Sequence, residues 1–458
     1  MIKLTFHGAA QEVTGMNYLL ECDSDVKSGR AVKLLVDCGL FQGARTAEEK
    51  NRDPFPYNPS EIDILFVTHA HLDHIGRIPK LVRDGFKGRI ISTLPTRDLA
   101  ELSLTDSLGI LTKEAERDGE EPIYAEEDVL KAMSLWETTE YDKDLKINDL
   151  TVIFREAGHI LGSSMIEIQR GGKKMVFSGD LGNPPTPLLK DPYKLKDANY
   201  LIMESTYGDK EHEGRGERKI KIERVIEDTV KNNGVLMIPA FSIERTQELL
   251  FEMNDLVENG RIPSVPVFLD SPLAIKATSI YQKYEDYYNK GAKYIINSGD
   301  DVFKFPGLKF TLRTQESKEI NDVPAPKIII AGSGMSTGGR IVHHEKRYLS
   351  DEKNTLLLVG FQSAGSLGRR IQEGAKWVKI LGDDIPVKAK VVRIKGYSAH
   401  PDTNWLLKFA KRNAKSLKKV FVTQGEVKAS SFISQRIRDY LGIESIVPEL
   451  GNSFDIDM

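Results

Sequence analysis

Apolar positions along the chain follow two rhythms. Residues 1–6, 17–21 and 32–36 form short β-branched and leucine-rich runs broken by glycine-rich turns, and they predict strands. Residues 62–67 form an apolar run interrupted only by Asp63, about the length of a buried strand. From about residue 95 to 136 the pattern predicts two helices, parted by Asp118-Gly119-Glu120-Glu121-Pro122. Strands are predicted again at 151–156, 165–169, 174–178 and 200–203.

A polar segment, 207–216, marks a border, and beyond it helices and apolar strands alternate. Ile222, Val225, Ile226 and Val230 keep helical spacing, and Asn233-Gly234 ends that helix. Residues 235–238 predict a strand. Ser242 is the expected N-cap of a helix whose Leu249, Leu250, Met253, Leu256 and Val257 make one apolar face, closed by Gly260. Runs 265–269, 327–331 and 356–359 add strands, so the alternation predicts a parallel sheet covered by helices. From about residue 391 the order is strand, helix, strand, helix. No internal repeat interrupts this plan.

Directly after the run 62–67 stands Thr68-His69-Ala70-His71-Leu72-Asp73-His74. Residues two apart in an extended segment point the same way, so His69 and His71 can reach one metal. Asp73 and His74, past the strand end, can reach a second. Imidazole nitrogens with carboxylate oxygens suit zinc or a similar divalent ion. The chain has 9 His in 458 residues, so three in one short loop argue against chance. Asp37, His159 and Asp180 each follow a predicted strand. Singly, such a residue is more often a cap or a satisfied core group. Together they fit strands that end on one rim and present their residues to one site.

Composition narrows the class. The chain is too long for one ordinary core, so two or three domains are expected. With 40% hydrophobic and 29% charged residues it reads as soluble and globular. No apolar run approaches the ~20 residues of a membrane helix, and the N-terminus starts as a strand rather than a signal peptide. Two cysteines give neither a disulfide framework nor a thiolate metal site, which favours the cytoplasm. A net charge of −3 gives no global pull on nucleic acid, so such binding needs a local basic groove.

Asp37, the His69–His74 run, His159 and Asp180 resemble the ligand pattern of the metallo-β-lactamase superfamily. The resemblance implies an α/β fold, an αββα sandwich of two sheets with helices outside. It also implies two Zn2+ sites: His69, His71 and His159 on one, Asp73 and His74 on the other, with Asp180 bridging. Asp37 would orient ligands from behind, and Asp73 would also accept the proton of the attacking water.

Met203-Glu204-Ser205-Thr206-Tyr207-Gly208 and Gly396-Tyr397-Ser398-Ala399-His400-Pro401-Asp402 resemble the β-CASP nucleases, the RNA- and DNA-processing branch of that superfamily. The resemblance covers almost the whole chain. It implies a metallo-β-lactamase domain at 1–206, an inserted β-CASP domain at 207–389 and a C-terminal return at 390–458. Glu204 would pair with His400 near the leaving oxygen. The glycine-rich junction from Gly332 to Arg340 can cradle phosphate on backbone N–H groups, and Arg340 adds a forked donor. Ser333, Gly334, Gly338, Gly339 and Arg340, together with Arg245 and Ser398, are the candidate RNA contacts.

One position departs from the pattern. Gln424-Gly425-Glu426 stands where the family usually has His-Gly-Glu, whose histidine completes the second zinc. A carboxamide oxygen is a poorer zinc ligand than an imidazole. The second site is therefore expected to be weak, filled by another divalent ion, or empty.

The reading these residues support is a metal-dependent ribonuclease. It would hydrolyse phosphodiester bonds of single-stranded RNA by metal-activated water, with His400 and Glu204 assisting the leaving group and endo or exo action undecided. The alternative is an RNA-binding or regulatory β-CASP protein whose catalysis is weakened by Gln424. A small-molecule hydrolase would leave the inserted domain and the Glu204/His400 pair without a role. No membrane partner is expected, and a homodimer is admitted.

Overall fold

The computed structural model describes residues 1–23, 31–43, 46–212, 214, 216–363 and 365–458. Contacts divide the chain into two units. Met1–Pro184, Asp191–Glu211 and His400–Met458 form the first, and Pro185–Lys190 with His212–Ala399 form the second.

The first unit is a sandwich of two seven-stranded sheets. One runs Ser453–Ile456, Ile2–Phe6, Tyr18–Cys22, Val32–Val36, Ile64–Phe66, Arg89–Thr93, Trp136–Thr139. The other runs Glu444–Ile446, Lys419–Thr423, Tyr200–Glu204, Lys173–Phe177, Ser164–Arg170, Leu150–Glu156, Leu145–Ile147. Alternate side chains of both meet in one core, where Phe6, Leu34 and Phe66 lie with Phe154, Phe177 and Phe421. Phe66 meets Phe154 edge-on, ring centroids 6.1 Å apart. Each buried phenyl contributes roughly 1.5–3 kcal/mol by leaving water. Helices Thr403–Lys411 and Val427–Leu441 cover the second sheet, packing Leu406, Phe409, Ile433 and Ile437 onto Val420 and Val422.

The two helices expected between residues 95 and 136 are Leu94–Asp118 and Glu126–Ser134. The Thr93 hydroxyl caps the first by accepting from Thr96 N, Pro95 sits in its first turn, and Gly119 ends it in the left-handed region, φ 72°.

Strand direction gathers the functional residues. Val32–Val36 and Ile64–Phe66 are parallel neighbours, so Asp37 and the His69–His74 segment leave the same end. In the other sheet Leu150–Glu156 and Lys173–Phe177 both run antiparallel to Ser164–Arg170 and hence alike. Tyr200–Glu204 and Lys419–Thr423 are parallel to Lys173–Phe177. His159, Asp180, Glu204 and Gln424 therefore all stand at one rim.

The second unit holds a six-stranded, fully parallel sheet ordered Leu308–Phe310, Val267–Leu269, Lys327–Ala331, Val235–Pro239, Thr355–Leu358, Lys390–Arg393. The α/β architecture is the one expected. Two details differ. Lys390–Arg393 pairs with Thr355–Leu358, so the inserted unit runs past residue 389; a strand's partner is not encoded in its own residues. Ser242 is not the N-cap: the helix Arg245–Glu258 starts later, after Glu244 at φ 67°. Ile243 is buried at this turn, and the Ser242 carbonyl accepts from Gln247 Nε2 at 3.2 Å.

Candidate metal centre

His69 and His71 leave Ile64–Phe66 in extended backbone, and Leu72–Ile75 then forms one helical turn carrying Asp73 and His74. His69 Nε2 lies 3.1 Å from His71 Nδ1, which lies 3.3 Å from His159 Nε2. Asp180 Oδ2 is 3.5 Å from His69 Nε2 and 3.3 Å from His159 Nε2. Four tetrahedral ligands at ~2.0–2.1 Å from an ion stand about 3.3 Å apart, so these four atoms fit such an ion. Burial holds His71 and His159 well below the usual imidazole pKa, which keeps them neutral and able to ligate. Burial alone would raise the Asp180 pKa, but the facing His74, His69 and His159 hold it well below the usual range.

A buried hydrogen-bond layer supports these ligands. Asp37, at φ 59°, accepts from Thr68 N at 2.8 Å and from Thr68 Oγ1 at 2.7 Å. It also meets His74 Nδ1 at 2.7 Å. Thr68 Oγ1 lies 3.1 Å from His69 Nδ1 as well. Ser163 Oγ accepts from His159 N at 2.9 Å. Thr68 and Ser163 did not stand out in the sequence. The only available signal was a hydroxyl residue next to a ligand motif.

The far side of Asp180 differs. His74 Nε2 lies 3.0 Å from Asp180 Oδ1. The Gln424 amide Nε2 donates to the same oxygen. Burial raises the Asp73 carboxyl pKa, and Asp73 does not join the four-residue cluster. Tyr18, Asp37, Thr68, His74, Thr423 and Gln424 line a small cavity behind the site.

Glu204 and His400 do come together: Glu204 Oε2 meets His400 Nδ1 at 3.0 Å. The other Glu204 oxygen accepts from Leu181 N at 2.6 Å, which ties the pair to the Asp180 loop. His400 Nε2 faces Asp180 Oδ2 at 3.9 Å. Burial opposes its charge, but the Glu204 carboxylate prevails and the pKa is pushed up to about 9.

The candidate RNA contacts of the second unit divide. Arg245 is buried and paired with Glu248. The Arg340 fork donates to Asp270 Oδ1 at 2.7 Å and to the carbonyls of Thr311 and Leu312 at 2.8 Å each. Both guanidinium groups are thus engaged within the unit. Ser333 and Gly338 close the glycine-rich turn, Ser333 N donating to Gly338 O at 3.1 Å. Gly339 is exposed, whereas Gly334 and Ser398 are buried.

A two-sheet sandwich with three imidazoles and a carboxylate converging at one rim defines a metal-dependent hydrolase. Residues 26–216 match the metallo-beta-lactamase superfamily, 246–371 the Beta-Casp domain, and 384–448 the Zn-dependent metallo-hydrolase RNA specificity domain. The chain belongs to the metallo-beta-lactamase superfamily, in the branch that carries a Beta-Casp domain. It is 38% identical to Ribonuclease TTHA0252 of Thermus thermophilus over 400 residues, 87% of this chain and 88% of that one. It is 34% identical to an RNase J-like protein of Methanocaldococcus jannaschii, covering 100% of both. It is 31% identical to the transcription termination factor FttA of Methanosarcina mazei, over 97% of this chain and 70% of that one. A crystal structure of a protein of unknown function from Enterococcus faecalis shares the fold, with TM-score 0.54, 12% identity and 99% coverage of each chain. Among the described residues no helix is long and apolar enough to cross a membrane.

Proposed function

We propose that the chain is a ribonuclease that hydrolyses phosphodiester bonds of single-stranded RNA, using zinc held by His69, His71, His159 and Asp180. The observation that carries this reading is the Glu204-bound His400 beside that cluster. Two relatives named as a ribonuclease and an RNase J-like protein support the substrate class.

A bound divalent ion lowers the pKa of its water toward ~7 and so supplies a nucleophile at neutral pH. The protein's own groups handle the protons. Glu204 fixes the His400 ring by holding Nδ1, which turns Nε2 toward Asp180 and the cluster as the proposed proton carrier. The Glu204 carboxylate favours the charged form of that ring, so His400 can protonate a departing alkoxide. Asp73, on the helical turn that follows His71, is the proposed proton acceptor. Ser333, Gly338 and Gly339 remain proposed RNA contacts; Gly334 and Ser398 are left out because they are buried, and Arg245 and Arg340 because their guanidinium groups are engaged within the unit. Both cysteines are free and buried, which fits a reducing cytoplasm.

The test is cleavage of end-labelled single-stranded RNA by zinc-loaded protein. His400→Ala should lower kcat by about 10²–10⁴-fold with little change in KM, the usual range for losing a general acid. His71→Ala serves as the metal-free control. Intact RNA after incubation with fully loaded wild type would refute the reading, and tight binding without cleavage would point to the regulatory alternative.

A further inference from the structure

We propose that this chain holds one metal ion rather than two, because the Gln424 amide takes the second ion's place at Asp180. The proposal rests on the metal site of the preceding reading but not on its substrate.

Asp180 has two oxygens in different surroundings. Oδ2 faces His69 Nε2 and His159 Nε2 and completes the four-atom cluster. Oδ1 faces His74 Nε2 at 3.0 Å and accepts a hydrogen bond from Gln424 Nε2. A second ion in this neighbourhood would have to draw on Asp73, His74 and Asp180 Oδ1, with residue 424 as the fourth ligand. An amide NH2 has two donors and no lone pair to give a metal. To ligate, Gln424 would have to turn its Oε1 inward and give up its bond to Asp180. Even then it would offer a neutral oxygen where zinc prefers imidazole or thiolate.

The amide cannot easily withdraw. Gln424 is buried, and its backbone is fixed at both faces: Gln424 N donates to Ala9 O at 2.7 Å, and Gln424 O accepts from Ser205 N at 3.3 Å. Its φ of 51° lies in the left-handed region, set by the sharp turn after Lys419–Thr423. The next residue leaves no slack, since a Cβ on Gly425 would stand 2.3 Å from Ser205 Oγ. With the backbone fixed, a turned amide would set Oε1 against the Asp180 carboxylate, so Gln424 rests with its donor on Asp180 Oδ1. There it supplies part of the positive field that a second ion would give, and it restrains Asp180 to bind through Oδ2 alone.

Metal counting tests this without RNA. The full chain is saturated with zinc, freed of loose metal by gel filtration, and analysed by plasma mass spectrometry. Wild type should retain one equivalent per chain, and His71→Ala none. Gln424→His should retain two. Gln424→Glu, nearly isosteric, replaces the donor with a lone-pair-bearing carboxylate and should also recover the second, which guards against a misfolded histidine variant. Two equivalents in wild type would overturn the proposal. So would one equivalent surviving in His71→Ala, or a single equivalent in both Gln424 variants. If zinc counts as expected but RNA stays intact, the ribonuclease reading falls and this one stands.

Discussion

Asp37 shows how much one buried carboxylate can organise. It takes both donors of Thr68 and meets His74, and Thr68 in turn touches His69. Its backbone, at φ 59°, is one that Asn and Asp tolerate better than Ala. Gly39, two residues on, is needed for a different reason: a Cβ there would stand 1.5 Å from Asp73 O. Asp37→Ala should therefore weaken zinc binding by about 10–100-fold, the usual cost of losing a group that orients ligands. Asp37→Asn, which keeps an acceptor for Thr68 N and suits the backbone, should cost less. Competition with a chromophoric chelator measures both, and equal losses would show that Asp37 acts through its charge alone.

At the scale of elements, Asp270 plays a similar part in the second unit. Fully buried after Val267–Leu269, it accepts from Thr311 Oγ1 at 2.7 Å, Ser317 Oγ at 2.6 Å and Arg340 Nη1 at 2.7 Å. His344 Nε2 lies 2.7 Å away. One side chain thus joins a strand, two helices and the glycine-rich turn. Burial would raise its pKa, but these donors outweigh that and lower it from 3.8 to about 2. A pKa depressed on folding stabilises the protein above the unfolded value and loses that effect as pH falls through the folded one. The contribution, roughly 2 kcal/mol, should thus be present above about pH 4 and fade toward pH 2. Asp270→Asn should be destabilised by about that much in urea at pH 7, with the gap from wild type closing below pH 4. The hub also explains what the sequence could and could not disclose. His69, His71 and His74 were legible because they are contiguous and follow an apolar run. Asp37, His159 and Asp180 were legible as strand-end residues, since strand direction alone decides which rim they reach. Arg340, read as a forked donor for phosphate, turns that fork to Asp270 and two carbonyls. A glycine-rich loop looks the same whether its arginine faces solvent or a buried aspartate, and that aspartate lies 70 residues away. Gln424 announced a departure, but not that its amide would rest on Asp180, 244 residues earlier.

At the scale of the whole molecule, the metal cluster is a cross-link within the first unit. His69 and His71 come from one sheet of the sandwich, His159 and Asp180 from the other. An ion that binds only the folded state stabilises it by RT ln(1 + [L]/Kd), about 4 kcal/mol when free ion exceeds Kd a thousandfold. Without the ion, the buried His69 and His159, the half-buried His71 and the Asp180 carboxylate face one another at 3.1–3.5 Å. Loosening should start at the rim and not in the core, because the phenyl cluster between the sheets owes nothing to the ion. Hydrogen exchange read by mass spectrometry should therefore show a graded response to chelation. Amides from residues 67–76, 157–163 and 178–182 should exchange faster. Those of Ser164–Arg170, paired on both sides within its sheet, should change little. The parallel strand Lys327–Ala331 of the second unit should not respond. His71→Ala should show the same rim deprotection with zinc present, and further chelation should add nothing. Uniform acceleration across the first unit would mean that the ion holds up the whole sandwich, contrary to the view that the apolar core carries the fold and the metal only locks its edge.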